Sequence, residues 1–372
     1  MSSIAAIVRR FAPAYRSRFQ DRLLPSHVAA LQAIDRCRTA ALGGHVATCP
    51  TCAVTRYQYH SCRHRHCPAC QQDHTQRWLA QQQALLLPVP YFLVTFTVPA
   101  ALRDLFRQHQ RQLYQVLFRA SATALQQLAA DPRFLGGQIG LLGVLQTWTR
   151  DLRYHPHIHY LVPAVSQRAD GQVVVKRGAA FLVPVKPLAI LFRAKFRAAL
   201  RQLTLADHVP TATWSQSWVV DCRPVGDGRT ALTYLAPYVV RGPLANNRIV
   251  AATEDAVTFW YRDGTTKRRR TCTLRPDAFL HRFLQHVLPP GFVKVRRFGL
   301  FAPHHQPRLR QIRAMLALAH GVAADGSGQA QPAVTSVGGR PPTCPVCGRV
   351  MELRLLLPTS RSPPPQHSLA TT

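Results

Sequence analysis

Hydrophobic residues along this chain follow two rhythms, one helical and one alternating, and their succession predicts the elements. Val28, Leu31 and Ile34 carry helical spacing within residues 1–45, and 77–87 is helical again. Residues 91–98 (YFLVTFTV) are β-branched and aromatic and predict a strand. Pro99 opens a long amphipathic helix over 101–130, closed by Asp131-Pro132 and Gly136-Gly137. Strands are expected over 139–149 and 156–163, joined by a polar turn at 150–155, with a further turn at Asp170-Gly171. A helix over 188–203, a strand over 214–221 and a short helix over 233–240 follow. Residues 249–252, 256–262 and 271–274 form a β-meander with Asp263-Gly264 as its hairpin turn, and 276–287 is helical. Beyond His320 a Gly-, Ala-, Ser- and Pro-rich linker leads to Cys344 and Cys347, and the last dozen residues are expected to be disordered. No glycine fingerprint of βαβ units accompanies the alternation. The expected fold class is α+β, an antiparallel sheet with helices packed on it.

Charge narrows the function. Hydrophobic residues make up 47% of the 372, enough for a core, so general disorder is excluded. Lys plus Arg is 47 against 16 Asp plus Glu, a net charge of +31. A globular chain that basic repels itself unless it meets a polyanion, so nucleic acid is the expected partner. A membrane is not: the longest uncharged stretch, 78–102, is broken by Gln81–Gln83, Pro88, Pro90 and Pro99. A soluble cytoplasmic protein is expected, which in a bacterium would be nucleoid-associated. In a reducing compartment ten cysteines point to metal rather than disulfides.

Cys49-x2-Cys52 and Cys67-x2-Cys70 have the spacing of one structural zinc site, each turn offering two thiolates to a tetrahedral, borderline-soft ion. Cys62, His60, His64 and His66 lie between the pairs, and one of them could replace a cysteine. The module carries Arg36, Arg38, Arg56, Arg63 and Arg65 with no acidic residue between Asp35 and Asp73, which suits phosphate contacts. Cys344 and Cys347 supply half of another site, which His304-His305 or Cys272 could complete.

Two further patterns carry chemistry. In His155-Pro-His157-Ile-His159, strand alternation puts His157 and His159 on one face with Ile158 turned to the core. Two imidazoles can grip a divalent cation and leave positions open for a phosphate oxygen. Gln146 is the expected third ligand, opposite His159 across the turn. Tyr234 and Tyr238, four apart, share a helix face, and a phenol can attack a phosphodiester to give a phosphotyrosine. Pro237 between them is tolerated only in a first turn, so the helix is expected to start at Thr233 or Tyr234; were it to start at Pro237, Tyr238 would be the safer nucleophile. Arg241, Lys267, Arg268, Arg269 and Arg270, with Lys294, Arg296, Arg297, Arg308, Arg310 and Arg313, could contact a DNA backbone. Trp148 and Tyr154 could stack on unpaired bases, although core packing suits Trp148 better.

The stretches CRTAALGGHVATCPTC, HSCRHRHCPACQ, PYFLVTFTVPAALR, GVLQTWTRDLRYHPHIHYLVP, TYLAPYVVRGPLANNRI and DAFLHRFLQHVLPPGFVKVRRFGLFA together resemble the two-tyrosine HUH transposases of rolling-circle insertion sequences, the IS91 family. The resemblance covers the chain to about residue 318. It implies a zinc-binding region at Cys49, Cys52, Cys67 and Cys70, the HUH metal motif at His157 and His159, and the nucleophiles Tyr234 and Tyr238. It implies a zinc-ribbon-like DNA-recognition domain (1–88), a catalytic domain with a sheet related to the ferredoxin-like fold (89–320), and a flexible tail with a CxxC (321–372). Structural Zn²⁺, catalytic Mg²⁺ or Mn²⁺, no nucleotide cofactor, and single-stranded DNA at element ends and target follow from the same resemblance, with a 5′-phosphotyrosine and a free 3′-hydroxyl as products. Gln146 stands where the family often has His, and Pro237 where a basic residue is usual. The competing readings are a replication-initiator or mobilisation nicking enzyme, and a non-catalytic zinc DNA-binding regulator.

Overall fold

The computed structural model describes residues 3–70, 72–176, 178, 180–240, 242–319 and 342–357. Its centre is a seven-stranded antiparallel sheet. In order across the sheet its strands are Val173–Val175, Val165–Gln167, Gln138–Trp148, Tyr154–Pro163, Tyr91–Thr97 and Val219–Pro224, and Val295–Gly299 also pairs with Gln138–Trp148. Strand alternation divides the side chains between two helix layers. Phe92, Val94, Phe96, Ile158, Tyr160 and Val162 face the helices Gln110–Ala129 and Val185–Gln202. Tyr91, Leu93, Leu142, Val144 and Leu161 face the helix Arg229–Val240, through its Leu232 and Leu235, and the helix Gln306–Ala319. A mixed helix and antiparallel-sheet fold, as expected, is therefore observed.

A second core joins distant parts of the chain. Ile4–Phe19 and Pro25–Arg36 bury Ile7, Val8, Leu31 and Ile34 against Phe259, Phe279 and Phe283, from the sheet of Ile249–Ala252, Val257–Arg262 and Arg269–Leu274 and the helix Pro276–Leu284. The N-terminal helices thus share a core with residues beyond 240. A third, small sheet orders Glu352–Leu357, Gly44–Thr48 and Thr55–Tyr59, so residues 352–357, expected to be tail, form a strand on the N-terminal hairpin.

Several expectations need correction. The helix over 101–130 breaks at His109 into Arg103–Gln108 and Gln110–Ala129. The strand over 214–221 is instead a short helix, Ala212–Ser215, followed by Val219–Pro224, because Trp214 and Trp218 stack on each other in the core (5.9 Å). The linker at 321–341 and the last dozen residues lie outside the described residues.

Candidate active site and cysteine clusters

The hairpin Gln138–Trp148/Tyr154–Pro163 presents the polar face. Gln146 pairs with His157, not with His159 as expected: the paired positions lie two residues out from the expected register, and a one-residue irregularity between Gln146 and Trp148 leads into the turn. A two-residue slip keeps the face. His157 and His159 lie 4.9 Å apart between ring centroids, and Gln146 Oε1 is 3.3 Å from His159 Nε2. The Gln146 amide is oriented by its own neighbour: its Nε2 donates to the Trp148 carbonyl at 2.9 Å, so its oxygen must face the imidazole. His157 Nδ1 donates to the His155 carbonyl at 2.6 Å, leaving its Nε2 lone pair for a ligand. Thr95, on the neighbouring strand and absent from the sequence reading, bonds His159 Nδ1 at 2.9 Å. Burial lowers the pKa of His157 to about 4, against a smaller rise from the His155 carbonyl; burial and then His157 push His159 well below the ordinary range. Both imidazoles are neutral at pH 7, the form that binds metal.

Both tyrosines lie on one helix, and Tyr234 approaches this group. Arg229–Val240 starts four residues earlier than expected, so Pro237 lies inside the helix. The start is fixed from outside: Asp227 Oδ1 accepts the Arg229 N–H (3.0 Å), and the Leu232 N–H reaches the Gly228 carbonyl (2.9 Å). Gly228 sits at φ +82°, where a Cβ would come within 2.9 Å of the Tyr91 ring. Tyr234 is 37% exposed and its ring lies 6.1 Å from that of His159. Tyr238 lies 5.1 Å from Tyr234 and 6.1 Å from Trp148. Burial, then the neighbouring Tyr234, raises the Tyr238 phenol above its usual range, while Arg150 and Arg248 pull it back. Neither arginine figured in the sequence reading. Trp148 (4% exposed) and Tyr154 (4%, its hydroxyl 2.6 Å from that of Tyr114) are core residues and offer no stacking face.

The four cysteines expected to share one site do not. Cys67 and Cys70 join Cys37 and Cys62; Cys49 and Cys52 join Cys344 and Cys347; within each group all sulfurs lie within 4.8 Å of one another. The reason is topological: Cys37 closes the helix Pro25–Arg36, and Arg38 N–H bonds the His60 carbonyl (3.0 Å), bringing Cys37 to Cys62. Neither His304-His305, whose rings lie 4.2 Å apart and tilted to each other, nor Cys272, beside Arg282, completes the C-terminal pair. Tetrahedral zinc with bonds of ~2.3 Å needs sulfurs about 3.8 Å apart, and Cys62 and Cys70 are 3.8 Å apart.

The first cluster also braces the tyrosine helix. Gln72–Gln83 leaves Cys70 and packs along Arg229–Val240, and Gly242 abuts the His66 backbone so closely that a Cβ would come within 2.7 Å of its carbonyl oxygen. Arg63 and Arg65 are exposed, Arg65 Nη1 donating to the Phe292 carbonyl (2.7 Å). Lys267, Arg268, Arg269 and Arg270 are exposed on the hairpin of the meander; Arg269 covers Trp260 (4.5 Å) and Arg270 stands 3.8 Å from Asp263. Arg241 lies outside the described residues.

Comparison with known proteins gives the family. The family described as "Putative transposase" (Y2_Tnp) matches residues 140–309, and the "Transposase zinc-binding domain" (Zn_Tnp_IS91) matches residues 7–98. "Putative transposase y4qJ" of Sinorhizobium fredii is 36% identical over 338 residues, covering 85% of this chain and 84% of the relative. "Transposase for insertion sequence element IS801" of Pseudomonas savastanoi pv. phaseolicola is 29% identical over 288 residues, covering 72% and 68%. No solved structure matches. The chain belongs to the IS91 family of insertion-sequence transposases, with an N-terminal zinc-binding domain. Among the described residues no helix is long and apolar enough to cross a membrane.

Proposed function

We propose that this transposase nicks and rejoins single-stranded DNA at element ends and target through a 5′-phosphotyrosine, as in rolling-circle transposition. The observation that carries the reading is the approach of Tyr234 to His159 (6.1 Å), with Tyr238 one helical turn behind it. His157 Nε2, His159 Nε2 and Gln146 Oε1 would hold Mg²⁺ or Mn²⁺. A separation of 3.3 Å between His159 Nε2 and Gln146 Oε1 suits two ligands at right angles on an ion with bonds of ~2.1 Å, which needs about 3 Å. When bound, the cation supplies Lewis-acid polarisation of the scissile phosphate.

Tyr234, the more exposed phenol, acts first. Its oxygen bonds to phosphorus as the bond to the 3′ oxygen breaks; the phenol proton passes to solvent and the 3′ oxygen leaves as a hydroxyl. Tyr238, held in a more buried place beside Arg150 and Arg248, serves the second strand. The ester keeps the energy of the broken linkage, so rejoining needs no nucleotide cofactor. Arg63, Arg65 and the Lys267–Arg270 run supply backbone contacts.

Incubation with Mn²⁺ and labelled single strands carrying the element's ends tests the reading. A denaturation-resistant adduct is expected, lost in Tyr234→Phe. Tight DNA binding with no adduct under any metal would instead identify a non-catalytic regulator.

A further inference from the structure

We propose that Cys49, Cys52, Cys344 and Cys347 form a second zinc site, assembled from the two ends of the chain, which clamps the C-terminal segment onto the N-terminal hairpin. Zinc-binding family similarity covers residues 7–98 and reaches only half of this group. Three observations carry the other half.

First, the sulfurs are placed for a tetrahedral ion. All four lie within 4.8 Å of one another, and Cys49 Sγ is 3.6 Å from Cys347 Sγ, close to the separation of about 3.8 Å set by zinc–sulfur bonds. That gap is far too wide for a disulfide of ~2.05 Å.

Second, the two CxxC turns share one conformation. Cys49 N–H bonds the Val54 carbonyl (2.9 Å) and Ala53 N–H bonds the Cys49 carbonyl (3.0 Å). In the C-terminal turn Cys344 N–H bonds the Arg349 carbonyl (2.7 Å) and Gly348 N–H bonds the Cys344 carbonyl (2.9 Å). The residue after the second cysteine is left-handed in both, Ala53 at φ 55° and Gly348 at φ 71°. Ala53 holds that conformation against the usual cost for a residue with a Cβ. Two turns far apart in the chain, folded alike and facing each other, are the two halves of one site.

Third, beyond strand pairing this sheet has little core among the described residues: its buried cluster is Ala47, Cys49, Cys344 and Met351, with Cys52 and Val54 packed against it, and Thr55–Tyr59 is almost wholly exposed. A core this small needs a staple, and a structural metal supplies folding energy directly.

Elemental analysis of the purified full chain should find two zinc ions, falling to one in Cys344→Ser/Cys347→Ser. Cys49→Ser/Cys52→Ser should lose the same single ion, and the fourfold variant no more than that. This non-additivity separates loss of one shared site from general misfolding. A specific protease sequence inserted between residues 328 and 334 adds a second measurement. After cleavage the C-terminal fragment should co-elute with the rest until a chelator is added, and should separate at once in Cys344→Ser/Cys347→Ser. One zinc in the unaltered chain, or two in either double variant, would overturn the proposal. Strand cleavage is not the readout, so the outcome is independent of the proposed nuclease chemistry.

Discussion

At the scale of single residues, the site depends on groups that orient the ligands. Thr95 Oγ1 bonds Nδ1 of His159, so that Nε2 is the nitrogen turned toward Gln146 and the proposed cation. Partners of this kind are typically worth 10–100-fold in metal affinity or activity. Thr95→Val should therefore weaken Mn²⁺ binding by about that factor, measured by titration calorimetry, with an unchanged circular dichroism spectrum. His286 makes a different prediction. It is fully buried, bonded to Thr147 Oγ1 (3.3 Å) and the Leu152 carbonyl (3.1 Å), and burial lowers its pKa to about 3. The unfolded chain takes up this proton near pH 6.5, the folded chain only near pH 3, so acidification through that window favours unfolding. The stabilisation is complete above about pH 6.5 and declines toward pH 3. Melting temperatures across that range should fall less steeply in His286→Gln. Thr95 was legible only as a polar position in an alternating strand; its partner on a neighbouring strand was not.

At the scale of elements, the tyrosine helix is a compromise between local preference and packing. Pro237 removes an N–H that would reach the Thr233 carbonyl, at a typical cost of ~3 kcal/mol in a helix interior. Burial of Leu232, Leu235 and Ala236 beneath the helix offsets it. Pro237→Ala should raise the denaturation free energy by about 1–3 kcal/mol. Leu235→Ala, which removes a fully buried side chain, should lower it by about 2–5 kcal/mol; urea denaturation measures both. The sequence placed the His157 strand and both tyrosines on the elements they occupy, because alternation and i,i+4 spacing are local signals. It placed the helix start wrongly, because the proline rule speaks against Pro237 within a helix while Asp227, Gly228 and the Tyr91 ring determine the start. Cysteine partners were the hardest to read: local spacing coupled Cys49 to Cys67, whereas the fold couples each to a residue that spacing cannot connect.

At the scale of the molecule, the +31 charge dominates association. If six to ten phosphates are contacted, DNA affinity should fall by about 10³–10⁵ between 50 and 200 mM salt. Alanine at both Lys267 and Arg268 should reduce the slope of log affinity against log salt by about two, without altering sequence preference in fluorescence anisotropy. The three cores also give the molecule an internal order of assembly. The central sheet and its helices are complete once the helix Gln306–Ala319 has been made, but the hairpin Gly44–Tyr59 borrows its third strand from Glu352–Leu357. With 298 residues between Cys49 and Cys347, synthesis at ~5–20 residues per second leaves the hairpin without that strand for roughly 15–60 s. A nascent or prematurely stopped chain therefore carries an unfinished N-terminal sheet, and only a chain translated through residue 357 can close it.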